Sequence, residues 1–123
     1  MIEVLNKKKK LVGYVDGKRY LDKKKNLISY LENNEFKDNS GYTLLILRED
    51  GDITWNVGET QGSIKDGKIY SYYQELVIFE YVTEEGKFVD PNGNAVLYLN
   101  GDLEILKDED LFGIAGQYLE LFS

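Results

Sequence analysis

Hydrophobic and polar positions recur along this chain with the period of a β-hairpin. At intervals of 15 to 19 residues, an apolar pair runs into a turn centred on Gly or Asn. After six of these turns an apolar residue follows two places on, as Phe36 follows Asn34. The turn residues are Gly17, Asn34, Gly51, Gly67, Gly86, Gly101 and Gly116. Self-similarity at a fixed period indicates stacked structural units, and here it predicts about seven tandem repeats of about 16–17 residues.

The segments between turns favour strands. They run five to nine residues, which is too short for ordinary helices. A second turn signal, such as Ser40-Gly41 or Asn92-Gly93, divides each repeat, because Gly and Asn reach positive φ at low cost. The pattern therefore predicts an all-β fold with one domain over residues 1–123. Residues 1–10 form a basic N-terminal strand or arm in this prediction.

A series of about fourteen short strands has to hide its edges, and one flat meander of that length is disfavoured. A closed barrel, a flower-like radial array of hairpins, and a stack of hairpins sharing one core all satisfy this requirement. The stretches from Asp22 to Glu35 and from Asp108 to Phe122 also carry helical features. The repeat register favours strand in both, and Gly113 and Gly116 would each cost about 1 kcal/mol in a helix.

Three stretches share a recurring unit of an apolar pair, a Gly- or Asn-containing turn and a following apolar or aromatic residue. They are residues 13–22 (GYVDGKRYLD), 62–70 (GSIKDGKIY) and 88–99 (FVDPNGNAVLYL). The unit resembles the hairpin repeats of the bacterial beta-flower proteins over most of residues 11–120. That resemblance implies consecutive β-hairpins around a pseudo-rotational axis. It implies no functional residue, because the family has no settled biochemical activity.

Composition removes several classes of chemistry. The chain has no Cys and no His, so it lacks disulfides, thiolate ligands, imidazole bases and the usual catalytic triads. Its glycines are spread evenly and form no phosphate-binding loop. Asp50-Gly51-Asp52 lacks the remaining ligands of a calcium loop and is interpreted as a turn. We expect no enzymatic activity, no cofactor and no metal.

Charge is distributed unevenly along the chain, whose net charge is −7. Residues 1–25 hold nine basic and three acidic side chains, and the remainder holds six basic and nineteen acidic ones. The simplest interpretation places basic first repeats beside acidic later ones. Lys7–Lys10 is a short run and an acidic body repels phosphate, so nucleic acid is disfavoured as a partner. No apolar run suits a signal peptide or a membrane span, which predicts a cytoplasmic protein without membrane contact.

Two groups of side chains are candidate binding surfaces. Aromatic rings with polar tips are common in interfaces, and five of them fall in two adjacent repeats. This candidate aromatic patch consists of Trp55, Tyr70, Tyr72, Tyr73 and Tyr81. A candidate acidic face consists of Glu84, Glu85, Asp108, Glu109 and Asp110. The alternatives are that the tyrosines line the core and that the carboxylates are solvated turn residues, which also argues against a glycosidase pair.

The sequence therefore predicts a non-catalytic protein–protein interaction module. An acidic inhibitor, of the immunity or anti-defence type, would occupy a basic cleft with an affinity that falls with salt. One alternative is a module that binds a small ligand or glycan on the tyrosines. Another is a structural homo-oligomer, in which the basic head of one copy meets the acidic body of another.

Overall fold

The computed structural model describes residues 1–72, 76–104 and 106–122. Across these residues twelve strands form one closed antiparallel barrel, accompanied by a single helix. The strands are β1 (Ile2–Asn6), β2 (Leu11–Asp16), β3 (Arg19–Asp22), β4 (Leu27–Glu32), β5 (Glu35–Asp38), β6 (Thr43–Leu47), β7 (Asp52–Trp55), β8 (Thr60–Lys65), β9 (Lys68–Ser71), β10 (Val77–Val82), β11 (Lys87–Val89) and β12 (Ala95–Asn100). The helix α1 spans Asp108–Tyr118. The predicted all-β class and the closed-barrel alternative are confirmed.

Each strand pairs with its neighbours in the chain, and β1 closes the barrel by pairing with β12. Successive side chains of a strand point to opposite faces, so alternate positions fill the interior. Val15 and Tyr20 are an inward pair of β2 and β3, whereas Tyr14 and Leu21 are the adjacent outward pair. Closure leaves no exposed strand edge, which is how the fold meets the edge problem posed by many short strands.

Antiparallel pairing sends the connections alternately to two ends of the barrel. One end, here called the turn end, carries the tight turns predicted at Gly17, Asn34, Gly51, Gly67 and Gly86, and all five residues have positive φ. Asn33 and Asn34 have φ of 52° and 63°, as a two-residue hairpin turn requires. The other end, the loop end, carries the connections 7–10, 23–26, 39–42, 56–59, 72–76 and 90–94.

The segment predicted as the last repeat is a helix. Gly116 lies within α1 and not in a turn, and Gly101 follows β12 without opening another hairpin. The count of seven repeats is therefore not confirmed, and the strand predicted between Asp108 and Phe122 is wrong. The other ambiguous stretch, from Asp22 to Glu35, contains β4 as a strand.

The helix occupies the interior of the barrel. Five successive residues from Leu111 to Ala115 are buried, so α1 is covered on every side. Inward side chains alone fill a barrel of about eight strands, and twelve strands enclose a wider space. The helix supplies the missing core, with Phe112 and Ile114 completely buried. In the described parts of the chain, no helix is long and apolar enough to cross a bilayer.

Candidate functional site

The first turn of α1 is fastened to the turn end by its carboxylates. Asp108 accepts hydrogen bonds from the backbone N–H groups of Asp66 and Gly67 at 2.9 and 2.8 Å. Lys18 Nζ donates to Asp110 Oδ1 and to Glu109 Oε1, the latter at 3.2 Å. Partial burial lowers the pKa of Lys18, but these hydrogen bonds more than offset it, so its pKa is raised. Three members of the predicted acidic face thus make contacts within the molecule.

The other two members of that face lie in the β10–β11 turn. Glu85 pairs with Lys87 at 2.7 Å, and Glu84 is exposed. They share the turn end with the start of α1, so the structure places all five carboxylates at the same end. Only part of the group is available to a partner.

Close approach between helix and barrel depends on glycine. A Cβ at Gly113 would overlap the hydroxyl of Tyr20, and one at Gly62 would lie 2.6 Å from the ring of Phe122. A Cβ at Gly13 would meet the ring of Tyr118 at 2.9 Å. At Gly13 and Gly62 the Cβ would also overlap a backbone carbonyl oxygen of the adjacent strand, that of Leu21 or Tyr70. Small residues at inward positions of β2 and β8 therefore allow close approach both of the adjacent strand and of the C-terminal segment.

Polar contacts fix the far end of the helix. Ser29 Oγ donates a hydrogen bond to Gln117 Oε1 at 2.7 Å. The hydroxyl of Tyr118 lies 2.7 Å from the carbonyl oxygen of Leu21 and 3.0 Å from that of Tyr14, and donates to one of them at a time. Burial raises the pKa of Tyr118, which keeps the hydroxyl protonated. The helix is thereby fixed at both ends, and its buried side chains belong to the hydrophobic core of the barrel.

The predicted aromatic patch is divided among several environments. Tyr81 lies in the core with its ring 5.2 Å from that of Phe88, so the alternative interpretation holds for this residue. Tyr70 is half-buried on the outer wall, opposite Ser63. Tyr73 lies outside the described residues. Trp55 and Tyr72 are exposed, and both stand at the loop end.

Around Trp55 and Tyr72 the structure gathers large apolar side chains that the sequence did not single out. They belong to three successive connections of the loop end and the strand residues beside them. This apolar sector consists of Tyr42, Leu44, Trp55, Val57, Tyr72 and Leu76. Val57 is 83% exposed, the highest value among the exposed large apolar residues. The sequence signal that could have indicated this sector is the presence of large apolar residues within turn-like segments, where polar residues are usual.

The loop end has a recurring backbone device. In four connections, the Asn or Asp that ends or directly follows the preceding strand accepts hydrogen bonds from backbone N–H groups two and four residues on. The residues are Asn6, Asp22, Asp38 and Asp90. Hydrogen bonds from the Ser40 hydroxyl and the Tyr42 backbone lower the pKa of Asp38, and backbone hydrogen bonding, first from Asn26, lowers that of Asp22.

Trp55 occupies the same position in the β7–β8 connection. Its loop keeps the backbone geometry of the others, since Trp55 N–H donates to Glu59 at 3.0 Å and Gly58 N–H donates to Trp55 at 2.8 Å. The capping side chain is therefore dispensable for this loop. The indole replaces it and is 40% exposed at the rim of the barrel.

Beside the apolar sector stands a lysine sector. It consists of the exposed residues Lys7–Lys10 and Lys23–Lys25, which lie in two successive loop-end connections. Lys9 and Lys25 place their ammonium groups 5.1 Å from the ring centroids of Tyr98 and Tyr14. Among the described residues of the six connections the carboxylates are Glu59 and Asp90, and the capping carboxylates of Asp22 and Asp38 lie at the strand ends beside them.

The turn end has the opposite charge. Its described connections and the first turn of α1 hold ten carboxylates, against Lys18, Arg48 and Lys107. The ten are Glu49, Asp50, Asp66, Glu84, Glu85, Asp102, Glu104, Asp108, Glu109 and Asp110. The asymmetry seen along the sequence is thus a separation of charge along the barrel axis.

Several depressions lie on the surface of the barrel, and two of them are described here by their lining. A pocket of about 560 Å³ at the turn end has an apolar floor that includes Met1, Ile2 and Leu106. Charged side chains of both signs also line it: Asp16, Asp102, Glu109 and Asp110, with Lys18 and Lys107. A groove of about 640 Å³ crosses the outer wall of β7–β9, where Asp52, Ser63, Tyr70 and Tyr72 line it.

Within the described residues, no group of three carboxylates is arranged to hold a metal ion. Comparison of the chain with protein-family models, curated proteins and solved structures finds no match. The surfaces of the barrel are therefore the basis on which a function can be proposed.

Proposed function

We propose that this protein is a non-catalytic protein-interaction module whose docking surface is the apolar sector of the loop end, with the lysine sector beside it. The observation that supports this most strongly is Trp55. It stands where four other connections use a capping Asn or Asp, in a loop whose backbone does not need it. Exposed tryptophan is a frequent anchor of protein interfaces. At this position the chain carries an exposed indole in place of a side chain that caps the loop, which fits a role in contact with a partner.

The composition of the loop end defines the partner. Contiguous exposed apolar surface favours a docking site, because single scattered apolar residues are the norm on soluble proteins. The neighbouring lysines attract carboxylates and speed the encounter with an acidic surface. The partner is therefore a protein that presents an apolar contact among acidic side chains. Nucleic acid fits less well, since the aliphatic side chains of Val57 and Leu76 cannot stack on bases as aromatic rings do.

The acidic inhibitor type of function is a second candidate, and the charge of the turn end favours it. Ten carboxylates against three basic side chains suit a basic cleft. In this candidate, Glu84 and the exposed carboxylates of the turns make the contacts, because the acids of α1 are bound to Lys18 and to the backbone. We also propose that the chain is related to the beta-flower proteins. This relationship identifies no binding residue for either candidate function.

Position-specific photo-crosslinking tests the docking surface. A photoreactive phenylalanine replaces Val57 in the apolar sector, and in a matched control it replaces Asn92, an exposed residue of the same end. Illumination of the cells that produce the protein should give a discrete protein adduct from position 57 and little or none from position 92. The adduct should disappear when Trp55→Asp is added. Absence of any adduct from position 57, or equal adducts from both positions, would contradict the proposal.

A further inference from the structure

The two ends of the barrel complement each other in charge. The loop end holds seven lysines against four carboxylates among the residues described there, Glu59 and Asp90 in the connections and Asp22 and Asp38 at the strand ends. Those of the turn end, with the first turn of α1, hold ten carboxylates against three basic side chains in the described ranges. Interfaces whose potentials are opposite in sign associate faster and in a defined orientation.

The ends also complement each other in apolar surface. Met1 is 63% exposed at the turn end, the end opposite the apolar sector. It borders the pocket of about 560 Å³ whose floor includes Ile2, Val15 and Leu106. Four carboxylates and two lysines also line this pocket, so an apolar floor with a net negative rim matches an apolar tip that has lysines as neighbours. The tip residues of the apolar sector, such as Val57, have this setting.

We infer that the protein partner of the loop end is the turn end of a second copy of this chain, so that barrels associate head to tail. The inference rests on the proposed function, because it names the occupant of the same docking surface. Contact between two loop ends is disfavoured, since it sets the lysine sectors of both copies on one small interface. A head-to-tail contact is heterologous and leaves one unused end on each terminal copy. It therefore builds open chains, or rings if the rotation closes.

Two variants with one blocked end each give a direct test. The loop-blocked variant carries Lys7→Gln, Lys8→Gln, Lys23→Gln and Lys24→Gln. Glutamine removes the positive charge without reversing it, so the blocked loop end does not attract the lysines added to the other variant. It spares Lys9 and Lys25, which lie over tyrosine rings.

The turn-blocked variant carries Glu49→Lys, Glu84→Lys, Asp102→Lys and Glu104→Lys. It spares the carboxylates that fasten α1 and the Glu85–Lys87 pair. Circular dichroism establishes that both variants keep the fold.

Sedimentation velocity at low ionic strength measures the association. The unaltered protein should form species larger than a dimer that dissociate as salt is raised, because charge attraction between exposed groups is screened. Each blocked variant should be monomeric alone. An equal mixture should form a dimer and nothing larger, since each partner supplies one intact end. A control with the same four lysines changed to arginine keeps the charge and should associate like the unaltered protein.

Monomers in the mixture, or association that persists in the separate variants, would overturn the inference. Its failure differs from failure of the proposed function. If the mixture is monomeric while position 57 still crosslinks to another protein, the loop end is a docking surface for a foreign partner. If position 57 gives no adduct at all, the proposed function fails as well.

Discussion

Gly113 and Tyr20 share one space in the core, and this contact sets the position of the helix against β3. A Cβ at residue 113 would overlap the Tyr20 hydroxyl. Gly113→Ala gains about 1 kcal/mol of helix propensity, but the overlap forces rearrangement of a core that has no spare volume. We expect a net loss of about 2 kcal/mol in the free energy of unfolding, within the usual range for overpacking. Urea denaturation measures it.

Gly116→Ala is the matched control, because the same helix gains the same propensity. Its Cβ would lie 3.3 Å from the ring of Phe36, a contact that a small ring shift relieves. Its net effect should therefore be smaller than that of Gly113→Ala. Equal losses at positions 113 and 116 would show that the Tyr20 contact does not set the cost.

Tyr20→Phe tests the same contact from the barrel side. The Tyr20 hydroxyl is buried and has no hydrogen-bond partner among the described residues, so its loss removes a desolvation penalty of about 1–3 kcal/mol. The Tyr20→Phe variant should match or exceed the stability of the unaltered protein and should restore part of the loss in Gly113→Ala. Burial also raises the pKa of Tyr20 above that of the unfolded chain. The stability that the protonated Tyr20 hydroxyl contributes is therefore fully present below about pH 10. The free energy of unfolding falls as pH rises further, and Tyr20→Phe should reduce that fall.

At the scale of elements, the sequence predicted the strands better than the helix. Turn signals such as Asn33-Asn34 and Asn92-Gly93 act over two residues, so the hairpins could be located from local chemistry. Gly116 continues the spacing of the earlier turns and Tyr118 follows it two places on, which made the last segment look like another repeat. The space inside a twelve-stranded barrel selects a helix there, and that is a tertiary requirement which no local pattern contains.

Phe112→Ala tests whether α1 is an essential part of the core. The side chain is completely buried and lies against the ring of Phe36, with centroids 6.5 Å apart. Its removal should lower the free energy of unfolding by about 3–5 kcal/mol, enough to unfold a marginal domain. Leu119→Ala, at a half-buried position beyond α1, should cost clearly less. Similar midpoints for the two variants in urea would mean that the helix is not the centre of the core.

Asp38 tests the capping device of the loop end. Its pKa is lowered by hydrogen bonds from the Ser40 hydroxyl and the Tyr42 backbone. The ionised carboxylate therefore contributes to the stability of the fold at pH values above about 3.9, the pKa of an Asp side chain in the unfolded chain. That contribution is lost as pH falls from about 4 through the lower folded value. Asp38→Asn should keep the loop, as Asn6 does in the first connection, and should weaken the acid dependence of the melting temperature.

Asp38→Ala is the matching loss-of-cap variant, and it should lower the melting temperature at neutral pH. Thermal melts between about pH 2.5 and 7 compare the three proteins across the range in which this carboxylate titrates. Identical acid profiles for Asp38→Asn and the unaltered chain would show that this carboxylate does not contribute to the acid response.

At the scale of the whole molecule, the sequence indicated uneven charge but not its axis. Lys7–Lys10 and Lys23–Lys25 are separated in the chain, and alternation of connections in an antiparallel barrel brings them to one end. The same alternation gathers Tyr42, Trp55 and Val57 beside them. The predicted aromatic patch included Tyr81, because a tyrosine in a strand gives no sign of whether it points inward. Only the closed barrel decides that direction.

Head-to-tail docking is tested by the identity of the adduct that a photoreactive residue at position 57 forms. Docking onto a second copy should give an adduct of twice the 14.2 kDa chain mass. Peptide mass spectrometry should place the crosslink in the turn end of the second copy, within residues 101–110 or at Met1. A crosslink to the outer wall of the barrel, or no adduct at concentrations at which the protein sediments as an oligomer, would contradict head-to-tail docking through the loop end.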